Sequence, residues 1–245
     1  DLIRLVNRAE ALLGRLETLL PAAPAAIDWQ TVLAARWQML PGKRRALVSI
    51  DHPQTLHLDD LQGIDRAKAA LDRNTRQFLA GAPANDALLW GSRGTGKSSL
   101  VKALLTRHAA VGLRLIEVDK DHLVDLPDIA AATAGLPYRF IVFCDDLSFG
   151  SDEPAYKALK VALDGSISGG REHLLIYATS NRRHLMPESM QENLDTKYVG
   201  DEIHPGETVE EKISLSERFG LWVSFYPFDQ DAYLDIVAHW LAELG

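Results

Sequence analysis

The chain has 245 residues, 47% of them apolar and 24% charged, which is enough to enclose one large or two small cores. Its 34 acidic against 26 basic residues leave a net charge of −8, which disfavours a general nucleic-acid coat without excluding a local basic patch. No apolar run reaches the length of a membrane span, no secretory signal pattern is visible and the single cysteine, Cys144, excludes an internal disulfide, so a cytoplasmic protein is expected. The sequence begins without Met, which fits a trimmed start.

Residues 2–20 set Leu2, Leu5, Val6, Ala9, Leu12, Leu13, Leu16, Leu19 and Leu20 along one helical stripe, and Pro21 and Pro24 interrupt it. Asp28 reads as the cap of a second helix carrying Trp29, Val32, Leu33, Arg36 and Met39, stopped by Pro41-Gly42. The pair is expected as a small N-terminal helical segment, residues 1–45, packed on the main domain or on a neighbour. Lys43-Arg44-Arg45 is too short a basic cluster to imply a nucleic-acid site and reads as a solvated turn. A helix is predicted from about Asp65 to Leu79, broken by Gly81-Ala82-Pro83.

From Ala87 strands and helices alternate. Strands are predicted at Ala87–Trp90, Leu113–Val118, Phe140–Cys144, His173–Ala178 and Leu221–Phe225. Helices are predicted near Leu100–Leu105, Leu126–Ala134, Pro154–Ile167, Glu188–Leu194 and Ala232–Leu244. Apolar strands separated by helices imply an α/β fold with a parallel five-stranded sheet covered on both faces, with ligand at the carboxyl ends of the strands. The core is expected over residues 46–226, and 227–245 reads as the start of a C-terminal helical lid.

The first strand of this series runs into Gly91-Ser92-Arg93-Gly94-Thr95-Gly96-Lys97-Ser98-Ser99, which fits G-x-x-x-x-G-K-[ST], the phosphate-binding loop. Glycines let the backbone curl its N–H groups toward an anion, and the loop opens a helix whose first donors are unpaired. Lys97 adds a full charge for the β- and γ-phosphates, and the Ser98 hydroxyl suits Mg²⁺. The third strand ends in Asp145-Asp146. Asp145 is the expected metal-side residue, and Asp146 the expected base toward water, one methylene shorter than glutamate; Glu153 is a weaker alternative base. The fourth strand ends in Thr179-Ser180-Asn181, where Asn181 is the candidate to sense the γ-phosphate, a turn-forming Asn being the plain alternative. Arg218, before the fifth strand, suits either a finger into a neighbouring subunit's site or a surface ion pair with Glu217 or another acid.

This set resembles the AAA+ ATPases: phosphate loop, Asp-Asp strand end, Asn after the next strand, Arg-Phe-Gly before the last. Leu58-Asp59-Asp60-Leu61-Gln62-Gly63-Ile64 resembles that family's segment before the loop, where Gly63 and Ile64 would touch adenine. More narrowly, Cys144–Phe149, Tyr177–Leu185 and Gly200–Gly206 resemble the bacterial DUF815 family of AAA+ proteins, over most of residues 45–243. The resemblance implies ATP and Mg²⁺ as ligands, a homo-oligomer, with a ring as one form it could take, and a protein partner it does not identify. Two features depart from the wider family. Asp119-Lys120-Asp121-His122-Leu123-Val124-Asp125 has no aromatic-apolar-Gly pore triplet, which disfavours polypeptide threading. The lid and its second sensing arginine are expected to be truncated or disordered.

Two stretches keep two readings each. Thr196–Lys212, with five acidic residues, reads as a partner-binding insertion or as a solvated loop with a short helix. Arg182-Arg183-His184 reads as a subunit contact or, less favoured, a DNA contact. The expectation is an ATPase that couples Mg-ATP hydrolysis to assembly or remodelling of a partner. The alternatives are a nucleotide-gated adaptor with slow hydrolysis and a DNA-associated loader.

Overall fold

The structure is a computed structural model. It describes residues 26–42, 44–149, 154–164, 172–182, 185, 197–199, 202–204 and 215–244, together with Arg4, Val6 and Arg8, which are helical. Strand β1 (Ala34–Leu40) turns back through Pro41-Gly42 into β2 (Arg44–Ser49). Then follow α1 (Asp65–Leu79), β3 (Ala87–Gly91), α2 (Lys97–His108), β4 (Leu113–Val118) and α3 (Leu126–Thr133). After these come β5 (Arg139–Cys144), α4 (Pro154–Leu163), β6 (Leu174–Ser180), β7 (Lys197–Val199), β8 (Glu202–His204), β9 (Leu221–Phe225) and α5 (Gln230–Leu244).

Seven strands form one sheet in the order β2-β1-β4-β5-β6-β3-β9, parallel except for β2. The five strands predicted from the sequence are its β4-β5-β6-β3-β9 portion, and the N-terminal hairpin adds two beyond β4. The period-2 alternation of side chains divides the strands between two cores. Phe140, Val142 and Cys144 of β5 join Leu174, Ile176 and Ala178 of β6 under α3 and α4. Ile141 and Phe143 join Leu175 and Tyr177 under α1 and α2. Burial on both faces explains why these strands read as unbroken apolar runs; each large side chain contributes roughly 2 kcal/mol. Cys144 is fully buried, which pushes its thiol up to about 12.

The second helix of the N-terminal segment is corrected. Asp28 caps a single turn, accepting from Gln30 N at 3.0 Å and Thr31 Oγ1 at 3.1 Å, and the chain then extends. Trp37 is buried while its neighbour Arg36 is exposed, an alternation that a helical reading of the same residues misplaced. The exposed edge of β4 won over local propensity, because it needs a partner for its backbone groups. β1 supplies it, with Ala34 opposite Leu115 and Trp37 opposite Val118. Pro41-Gly42 is thus a hairpin turn, with Gly42 at φ 83°, rather than a helix stop. The expected boundary at residue 45 falls within β2. Within Thr196–Lys212, β7 and β8 pair antiparallel, Lys197 opposite His204, where a loop and short helix was one reading. The predicted helix at Glu188–Leu194 and most of the first helix lie outside the described residues.

Two buried charges lock the hairpin region down. Asp125 accepts from Trp37 Nε1 at 2.9 Å and pairs with Arg45 of β2. Arg114 donates to the Trp29 carbonyl through Nε at 2.8 Å and Nη2 at 2.6 Å, and lies 4.3 Å over the Tyr138 ring. No helix among the described residues is long and apolar enough to cross a membrane.

Replacing Asp125 with Ala strands the indole N–H and leaves Arg45 without its acid. Asp125→Ala is expected to lower stability by about 2 kcal/mol, read as a lower urea midpoint at unchanged slope. Asp59→Ala, at an exposed acid, should stay within about 0.5 kcal/mol.

Candidate functional site

β3 ends at Gly91, whose φ is 141°; a Cβ there would sit 1.9 Å from the Phe225 carbonyl oxygen of β9. Only glycine lets the two strands approach so closely before the chain leaves the sheet. The loop then turns through Gly94 (φ 74°) and Gly96 (φ 89°), and α2 begins at Lys97. Thr95 Oγ1 donates to the Ser92 carbonyl at 2.8 Å and closes the loop on itself.

Lys97 folds back across this loop and is only 7% exposed. Its Nζ donates to the carbonyls of Gly91 (2.9 Å) and Ser92 (2.6 Å) and to Asn181 Oδ1 (3.3 Å). Burial lowers its pKa below the usual lysine value, while the neighbouring Asp145 and Asp146 oppose that shift. An ammonium held by neutral carbonyls and partly desolvated is poised for an anion with stronger acceptors.

The ends of β5 and β6 close the other side. Asp145 Oδ1 accepts from Ser98 Oγ at 2.6 Å and from Thr179 Oγ1 at 2.5 Å. The Asp146 N–H donates to the same Thr179 hydroxyl at 2.9 Å. Asp146 has φ 52°, the one positive value for a non-glycine among the described residues. Its Oδ1 accepts from Asn181 Nδ2 at 2.5 Å, and its Oδ2 lies 4.0 Å from the Arg93 guanidinium. Strain of this sort collects where a side chain must be aimed. Together these groups and the loop from Arg93 to Ser99 line a cavity of about 280 Å³. Its donor set fits a phosphate chain and a hard divalent cation: an ammonium and a helix N-terminus on one side, a hydroxyl and carboxylates on the other.

The structure therefore gathers Lys97, Ser98, Asp145, Asp146 and Asn181, with the loop glycines, at one place. Gly91 and Ser92 stand behind Lys97 as its acceptors. Ile64 lies against the loop, its Cδ1 3.6 Å from where a Cβ on Gly96 would be; Gly63 (φ 75°) lies under the Phe228 ring. Arg218 is elsewhere: it pairs with Asp164 just past α4, an acid other than Glu217. Glu153, Arg183 and His184 lie outside the described residues. Lys120–Asp125, after β4, is a 3-10 helix.

Sequence reasoning missed two partners. Thr179 was seen only as part of a polar strand end, yet its hydroxyl fixes both acids. The alternation that puts residues 179 and 181 on one face was the signal that would have found it. Phe228 over Gly63 had no sequence signal, because it depends on where the chain runs after β9.

The fold is that of the AAA+ class of P-loop proteins. Among solved structures the chain is similar to Aeropyrum pernix Orc1 in complex with DNA, with 15% identity and a TM-score of 0.52 over 74% of this chain and 50% of that one. It is also similar to a point variant of Thermotoga maritima RuvB, with 16% identity and a TM-score of 0.50 over 77% of this chain and 53% of that one. The chain thus spans about half the length of the structures it matches. No curated protein matches the sequence. The chain belongs to the family described as "Protein of unknown function (DUF815)", whose model matches residues 30–245.

Thr179→Val keeps the shape but removes a donor from Asp145 and an acceptor from the Asp146 N–H. A loss of about 2 kcal/mol in denaturant unfolding is expected, with Thr179→Ser losing less than half of that.

Proposed function

We propose that this chain is an ATPase of the AAA+ type, which binds Mg-ATP, hydrolyses it and uses the cycle to assemble or remodel a protein partner. The convergence of Lys97, Ser98, Asp145, Asp146 and Asn181 on one cavity carries this reading. Lys97 would exchange its two loop carbonyls for phosphate oxygens, regaining a full charge partner in place of neutral ones. Ser98 and Asp145 would hold Mg²⁺, which supplies charge neutralisation between the β- and γ-phosphates. Asn181 would turn from Asp146 toward the γ-phosphate, leaving the Asp146 carboxylate to orient a water and take its proton. The water oxygen bonds to the γ-phosphorus, the β–γ bridging bond breaks, and ADP and phosphate leave. Ile64 against the loop, with Phe228 beyond Gly63, supports an adenine seat on that side.

In this proposal Arg218 acts on a neighbouring copy's nucleotide within a homo-oligomer, and the ion pair with Asp164 is its partner in the single chain. A second reading, a nucleotide-gated switch with slow turnover, draws on the Asp146 geometry. That carboxylate is shorter than glutamate, and Asn181 and Arg93 stand at its two oxygens.

Calorimetry with Mg-ATP should show binding to the unaltered chain and its loss in Lys97→Ala; equal heats for the two would refute the phosphate assignment. Asp146→Asn should retain ATP and lower turnover by about 10²-fold or more. Unaltered turnover would remove Asp146 as the base, and a wild-type rate already at the Asp146→Asn level would select the switch. Mixing assembled Arg218→Ala and Asp146→Asn subunits should restore part of the activity if the arginine acts across the interface.

A further inference from the structure

At the opposite end of the sheet from the phosphate-loop cavity, a cleft of about 1110 Å³ opens between α3 and α4. α3 and the turn after it contribute Ala130, Ala131 and Ala134, and α4 contributes Ala158, Val161 and Ala162. Val161 is 65% exposed and Val124, on the same rim, 37%. Small apolar side chains on two facing helices leave a trough into which a third helix can lower larger ones. Four charged residues, Asp86, Arg139, Lys157 and Glu172, stand in a lining that is otherwise mostly apolar, and that mix with the cleft's size suits an amphipathic helix better than a small polar ligand.

We infer that this cleft is the docking site of the chain's own N-terminal segment, residues 2–20. Three observations select that occupant. The first is where the chain comes in. Trp29 packs edge-on against Phe140, with ring centroids 4.9 Å apart, and its carbonyl is held by Arg114, which stacks on Tyr138. Tyr138 lines a smaller cavity that shares Ala134, Arg139 and Glu172 with the cleft. The chain upstream of Ile27 therefore starts on the side of the sheet that carries α3 and α4, with Ile27 and Trp29 in the core beneath them. The second is reach: residues 21–25 span up to about 17 Å when extended, and a 19-residue helix runs about 28 Å.

The third is composition. The neighbouring connectors, Gly150-Ser151-Asp152-Glu153 and Gly165-Ser166-Ile167-Ser168-Gly169-Gly170-Arg171, bring one large apolar side chain between them. Residues 2–20 bring Leu2, Leu5, Ala9, Leu12, Leu16 and Leu19 at alternating three- and four-residue steps, the spacing of a seam that fits a groove. Val6, on the flank of that seam, is helical and 46% exposed. The docked segment braces α4, which joins the Asp145-Asp146 strand end to Asp164, the partner of Arg218. The inference is independent of the nucleotide chemistry proposed above.

The test uses the full chain in three forms: unaltered, Leu5→Asp/Leu12→Asp on the segment, and Ala158→Arg in the cleft. Limited trypsin digestion reads cleavage after Arg15, and hydrogen exchange reads the amides of α4. In the unaltered monomer cleavage after Arg15 should be slow. Both variants should raise it by about tenfold or more, and α4 amides should exchange about tenfold faster while α2 amides hold. Should the cleft variant fail to fold, the segment variant alone delivers the same two readouts. Equal Arg15 cleavage in the unaltered and segment-substituted chains would overturn the inference. So would protection that disappears when sedimentation shows dissociation to monomers, since the occupant would then come from a second copy.

Discussion

One carboxylate oxygen ties the site together. Asp145 Oδ1 accepts hydrogen bonds from Ser98, in the first turn of α2, and from Thr179, near the end of β6. Three segments far apart in sequence meet at that atom, and each carries a group that the cavity needs. The β3 loop brings Lys97 and Ser98, β5 brings the two acids, and β6 brings Thr179 and Asn181. The parallel order β5-β6-β3 makes this possible, because the carboxyl ends of these strands then emerge side by side.

The polar groups around that oxygen satisfy one another. Lys97 is occupied by Gly91, Ser92 and Asn181, while Asn181 also holds Asp146. In the proposed ATPase an incoming phosphate would outcompete these contacts by charge, because its oxygens are stronger acceptors for a desolvated ammonium than peptide carbonyls. The same exchange would release the Asn181 Oδ1 from Lys97 and let its side chain turn from Asp146. In the proposed ATPase, binding and the release of Asp146 are thus one rearrangement of hydrogen bonds, with the left-handed backbone at Asp146 holding its carboxylate toward the cavity throughout.

Away from the site two buried charges add to the apolar packing that anchors the fold. Asp125 fastens the hairpin from below, through the Trp37 indole and Arg45. Arg114 fastens the chain ahead of it through the Trp29 carbonyl and the Tyr138 ring. Both sit near the β4 edge, where the sheet would otherwise end with unpaired backbone groups. The hairpin extends the parallel core, and Ile27 and Trp29 ahead of it pack on the α3–α4 side. A helix in the cleft there would cover Val124 and Val161 and complete a second layer over that face.

What the residues alone determined is local. The phosphate-loop spacing demanded a strand before it and a helix after it, and unbroken apolar runs such as Phe140–Cys144 demanded burial on both faces; each follows from backbone stereochemistry and periodicity within a few residues. The pairing of Asp145 with the loop was legible because both lie at strand ends, where a parallel sheet must bring its loops together. Other features were settled only by the assembled fold. Ala34–Leu40 became a strand because β4 had an edge to fill, against a helical reading of its own composition. Thr179 became the clamp on two acids because β6 lies beside β5. Arg218 found Asp164 because α4 ends near the turn before β9. In each case the deciding partner is remote in sequence, and no local pattern encodes which remote group the tertiary packing will bring within reach of a hydrogen bond.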